Sequence, residues 1–117
     1  MENNMKEQET ITREIFDGGV TEEQVKAWKA KYGKIARIEV VDDGDVHVGF
    51  FHRPRIETMA AVTKIAKTDE LKSSETMFDN CWLGGSPALR NDAILFLEAT
   101  KQLGVMLSSC RSSLKNL

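Results

Sequence analysis

Between Ile35 and Phe51 apolar residues recur at every second position, and Asp42-Asp43-Gly44-Asp45 interrupts the run. Side chains of a strand point alternately to opposite faces, and an Asp-Gly pair accepts the positive φ of a tight turn, so this pattern predicts a β-hairpin. Ala36, Ile38 and Val40 alternate with Arg37 and Glu39 on the first arm; Val46, Val48 and Phe50 resume on the second. A lone hairpin is marginal in water, so its apolar face must pack on the rest of the chain. Phe51 falls on the face opposite Phe50, which predicts burial on both sides at the end of the second arm. Gly49 beside it marks a bulge or a close backbone approach.

Pro54 then ends the sheet region. Its ring disfavours helix at Arg53 but suits a first helical turn, so the stretch Val46–Ala60 reads as a joint between sheet and helix. Ile56, Met59, Ala60, Thr63 and Ala66 form one stripe, widened by Val62 and Ile65, and predict a helix over 54–66 that is largely buried on one side. Thr68-Asp69-Glu70 reads as a new N-cap, and Leu71, Ser74, Phe78 and Cys81 continue at helical spacing up to a stop at Gly84-Gly85. Asn91-Asp92 caps a last helix, about 91–108.

Before the hairpin, Thr21 with Gln24 forms a capping box, Val20 can staple onto Val25, and Val25, Trp28 and Tyr32 share a face up to Gly33. This predicts a helix over 21–32. Ile11, Ile15 and Phe16 could add one helical turn ahead of it. The expected fold is α+β: an N-terminal helix, one antiparallel β-hairpin, then three helices packed as a small bundle against it. One domain spans 21–108, with a mobile tail at 1–20 and a frayed end at 109–117, because 117 residues suffice for one core but not two.

Charge and composition narrow the function. Hydrophobic residues make up 41% and charged residues 29%, the balance of a folding globular chain. The 16 basic and 18 acidic residues are interspersed and leave a net charge of −2, so no basic footprint points to nucleic acid. No apolar run approaches the ~20 residues of a membrane span. The N-terminal residues lack an apolar signal region and the two cysteines lack C-x-x-C spacing, which together suggest a cytosolic protein.

No run of residues assembles a recognisable chemical site. His47 and His52 are five apart on one strand and so face opposite ways, which argues against a shared metal. Cys81 reads as a small buried hydrophobe rather than a nucleophile. Gly84-Gly85-Ser86 could cradle a phosphate, but no strand is expected before it and no Lys-Ser/Thr follows. Asp42, Asp43 and Asp45 lack the length and closing Glu of a calcium loop. No catalytic residue, metal or cofactor is therefore assigned. Arg53 and Arg55 could meet either an acidic partner or carboxylates of neighbouring helices, and Trp82 with Leu83 is either a core plug or an interface anchor.

The segments Phe50-Phe51-His52-Arg53-Pro54 and Asn80-Cys81-Trp82-Leu83-Gly84-Gly85, in this order between hairpin and last helix, resemble the small tail assembly chaperone-like proteins of tailed bacteriophages and prophages. The resemblance covers about residues 35–107; Ser86-Pro87-Ala88 and the polar first 20 residues have no counterpart in it. It implies a non-enzymatic factor of the host cytoplasm that coats or solubilises the tape measure protein, or another tail protein, through an apolar, helical surface able to form homo-oligomers. Met59, Met77 and Met106 are adaptable apolar contacts compatible with such a surface, although each taken singly reads first as ordinary core filling. With Trp82, Leu83, Arg53 and Arg55 they are the candidate partner-binding residues. Two other classes stay open: a structural or adaptor protein of a phage particle or cytosolic complex, and a small enzyme using Cys81 or a histidine.

Overall fold

The computed structural model describes residues 14–117. The first 13 residues of the expected tail, Ile11 among them, lie outside the described residues. The elements in chain order are β1 (Ile15–Phe16), α1 (Glu22–Tyr32), β2 (Ile35–Asp42), β3 (Asp45–His52), α2 (Ile56–Ala66), α3 (Glu70–Cys81), β4 (Trp82–Gly85), α4 (Ala88–Asn91) and α5 (Ala93–Leu107).

The hairpin forms as its pattern requires. β2 and β3 pair antiparallel from Ile35↔His52 to Asp42↔Asp45, and the turn residues Asp43 and Gly44 both take positive φ. It is not the whole sheet. β1 adds to β3 in parallel at Ile15↔Val46 and Phe16↔His47, and β4 adds antiparallel at Gly49↔Gly85, Phe50↔Gly84 and Phe51↔Trp82. The expectation of a single hairpin with one N-terminal helix and a three-helix bundle is thus corrected to a four-stranded sheet with five helices among the described residues. Both missed strands are too short to show a period of two. Ile15 and Phe16 are strand rather than a helical turn, and Trp82-Leu83-Gly84-Gly85 looks like a helix stop.

Glycine is what lets β4 enter the sheet. A Cβ on Gly85 would collide with the Val48 carbonyl oxygen, and one on Gly18 with the Gly85 carbonyl oxygen. Between Phe50 and Phe51 the β3–β4 register shifts, leaving Leu83 without a directly opposed residue, which is a β-bulge. Gly49 marks the close approach: a Cβ there would stand 2.8 Å from Leu89 Cδ1.

The sheet is covered on both faces. Ile38, Val40 and Phe51 face the main core with Phe78, Leu89, Leu95 and Phe96 from the helices. Val46, Val48 and Phe50 face a smaller cluster closed by Val20, Val25 and Trp28 of the α1 region. Helix starts follow the sequence closely. Thr21 and Gln24 exchange both capping-box bonds, Asp69 accepts from the Lys72 N–H, and Asp92 accepts from the Ile94 and Leu95 N–H groups. Asp92 is the N-cap, so the last helix, expected over 91–108, runs from Ala93 to Leu107, and α4 is a separate turn before it.

One helix departs from its pattern. The 54–66 stripe predicts a face buried in the core, yet α2 contains no buried residue. It leans on α3, where Ser73 donates its hydroxyl to the Val62 carbonyl at 2.8 Å, and only Met59 and Val62 reach the main core as half-buried contacts.

Candidate functional site

The stripe that fails to be buried leaves an apolar face of α2 open to solvent. Ile56, Met59, Ala60 and Thr63 follow the i, i+3, i+4, i+7 spacing of one helix face, and here that face lines an open trough of about 620 Å³ with Lys64 and Lys67 at its end. Ile56 is 85% exposed. A helix whose apolar stripe faces water is short of a partner, since burial of such a stripe supplies most of a helix's tertiary stabilisation.

Behind α2 lies a smaller groove of about 160 Å³ between α2, α3 and α5. Val62, Met77, Leu103 and Leu107 supply its apolar lining, and Ser73, Ser74 and Gly104 keep its walls low. A Cβ on Gly104 would touch nothing within 4 Å. Small wall residues of this kind let a second helix approach closely.

Trp82 occupies a different part of the molecule. Its ring stacks on Phe78 at 5.2 Å and meets the edge of Phe51 at 5.4 Å, so it plugs the junction of β3, β4 and α3 while staying half-buried. It also lines a cleft of about 500 Å³ with Trp28, Gly84, Pro87 and Arg90. Leu83, one residue on, packs instead on the opposite, α1-covered face of the sheet. Arg90 forms the one charged cluster on this wall among the described residues: it donates to Asp79 at 2.8 Å and to Glu75 at 3.0 Å, which raises the guanidinium's pKa, the Asp79 hydrogen bond most of all.

The remaining candidates are scattered. Met77 is buried, with its sulfur 3.7 Å from the Cys81 thiol. Met106 is half-buried and lines a trough of about 390 Å³ along β2 together with Val105 and the exposed Arg53. Arg55 is exposed and stands at the N-cap of α2 without making a side-chain cap bond. Neither arginine makes an ion pair among the described residues. Only Met59 therefore sits on the α2 face. Ile56 and Ala60 beside it belong to the stripe named from the sequence, but the expectation that the stripe is buried hid them as contacts. Trp28 and Arg90, which shape the Trp82 cleft, carry no local signal, because the first reads as an ordinary helix-face residue and the second as a surface charge.

The polar residues do not gather into a chemical centre. His47 and His52 point to opposite faces, where His47 stacks on Phe16 and bonds the Ser86 hydroxyl at 2.8 Å, and His52 stacks on Tyr32. Ser86 is buried, so this contact ties the residue after β4 to β3. Cys81 is a buried free thiol whose pKa burial pushes up to about 11, and Cys110 is an exposed free thiol. Among the described residues no group of three or more His, Cys, Asp or Glu side chains is placed to hold a metal, and no helix is long and apolar enough to cross a membrane.

No protein-family model matches the chain, and no curated protein does. A solved structure similar to it is that of the uncharacterised protein rbstp2171 from Bacillus stearothermophilus, with a TM-score of 0.53 and 21% sequence identity over 78% of this chain and 99% of that one. At this identity the likeness concerns the fold alone.

Proposed function

We propose that the protein is a non-enzymatic binding factor that holds an amphipathic helix of a partner protein against α2. The observation that carries this reading is the Ile56-Met59-Ala60-Thr63 face of α2, which lines an open trough with Ile56, Ala60 and Thr63 exposed and Met59 half-buried at its base, on a helix with no buried residue. In helix-in-groove recognition a bound amphipathic helix presents anchors at i, i+3, i+4 and i+7 to an apolar groove, and the trough along α2 would receive them. Lys64 and Lys67 at the end of the trough favour a helix with acidic residues beside its apolar stripe.

The resemblance in residues 35–107 supplies the specific form of the proposal. The protein would be a tail assembly chaperone of the host cytoplasm, and the helix would belong to the tape measure protein, a long helical chain that needs its apolar stripe shielded until the tube forms around it. Co-expression tests this: the tape measure protein from the same genome becomes soluble and co-purifies with this chain. Insolubility of the tape measure protein with the chain present would count against it. A chaperone is also absent from mature particles, whereas a structural or adaptor protein appears there by mass spectrometry.

A further inference from the structure

β2 is the outermost strand on its side of the sheet, and no described residue hydrogen-bonds to its outer edge. The N–H and C=O groups of alternate residues along this eight-residue strand, those directed away from β3, are a ready template for another strand, and natural proteins control what may pair there by placing charges along the edge. On this edge the charges have an order. Reversed about Ile38, the segment Lys34–Asp42 sets Arg37 against Glu39 and Lys34 against Asp42. The same reversal sets Ile35 against Val41 and Ala36 against Val40, so every charge meets its opposite and every apolar residue meets another.

We infer that two copies of this chain pair through β2, antiparallel across a two-fold axis at Ile38, to form one continuous sheet. A two-fold axis between antiparallel edge strands runs perpendicular to the sheet, so opposed residues must share a face, and only pairings of equal parity are allowed. Centred on Arg37, the pairing would oppose Arg37 to itself and Ile35 to Glu39; centred on Glu39, it would oppose Glu39 to itself and Arg37 to Val41. Like charges directly opposite destabilise a pair, so the Ile38-centred register is selected by exclusion as well as by attraction.

The fold is prepared for this register. Arg37 and Glu39 already lie side by side, 2.7 Å apart, on the α1 side of the sheet, so in the dimer they would join with their copies in a four-charge network. Val41, which is 55% exposed for an apolar strand residue, would be covered by Ile35 of the second copy. Below the edge, Val105 of α5 faces the trough beside β2 and would meet α5 of the second copy. This pairing leaves the α2 docking surface free and does not depend on it.

Sedimentation velocity of the full chain, with reductant to keep Cys110 from bridging copies, tests it. The 13.1 kDa species doubles in mass over about two decades of concentration. Glu39→Lys alone and Arg37→Glu alone each put like charges opposite one another and weaken the dimer by roughly tenfold or more. When the two variants are mixed, one copy carries basic side chains at both positions and the other carries acidic ones. Each basic group then opposes an acidic group again, and the dimer returns. Recovery on mixing also shows that both variants fold. A wild-type chain that stays monomeric throughout, single variants that dimerise as well as the wild type, or a mixture that stays monomeric would each overturn the inference.

Discussion

Gly85 crosses Val48 so closely that a Cβ on Gly85 would collide with the Val48 carbonyl oxygen, the same oxygen that accepts the Ser86 N–H at 2.8 Å. Its φ of 140° is also one that side-chain-bearing residues rarely adopt. Gly85→Ala must therefore move backbone, and we expect a loss of about 3 kcal/mol in urea unfolding, from strain and overpacking together. Gly104→Ala has the opposite sign. Gly104 is helical with open space at its Cβ, so alanine there should stabilise the fold by about 1 kcal/mol.

Trp82 separates the two readings of its position by the cost of removing it. Because its ring contacts Phe51 and Phe78 at the head of the main core, Trp82→Ala should lose about 3 kcal/mol of stability. A purely exposed interface anchor would lose almost none in the same unfolding measurement.

How much of the fold is legible in the sequence depends on element length and on glycine. The hairpin and the capped helix starts at Thr21, Asp69 and Asp92 are readable because each is fixed by local chemistry: an Asp-Gly turn, a side-chain oxygen three residues before an orphan N–H. β1 and β4 are not, since a two-residue strand has no period and Gly84-Gly85 signals a break in isolation. Only the presence of β3 makes that glycine pair a strand: its backbone at Val48 comes close enough to Gly85 to exclude a side chain there. The α2 stripe is legible as a stripe, while its expected burial is wrong, because periodicity tells which face is apolar and not whether this chain or another covers it.

The two thiols should differ sharply. Cys110 is exposed and should react with a thiol reagent at once, while Cys81 should react only as the protein opens. The pH dependence follows from the direction of the shift. Burial raises the Cys81 pKa from 9.0 to about 11, so the folded state holds this proton more tightly than the unfolded one. Its contribution to stability is fully present below pH 9.0 and is lost as pH rises through about 11. Unfolding curves across that window should show a decline that Cys81→Ala lacks, whatever its baseline stability.

Asp92 offers a local test of the last helix. Its carboxylate accepts from the Ile94 and Leu95 N–H groups, so Asp92→Ala should cost about 1 kcal/mol, and Asp92→Asn, which keeps an acceptor, much less. Thermal unfolding of the two variants side by side gives the comparison.

That the outward stripe of α2 holds a partner helix is tested most directly by co-purification of the tape measure protein with the double variant Ile56→Glu/Ala60→Glu. Both residues are exposed, so the fold should survive, as circular dichroism can verify. The wild-type chain should retain the tape measure protein, and the double variant, folded, should release it. Equal retention by the wild type and the double variant, or retention by neither, would contradict the proposed docking surface.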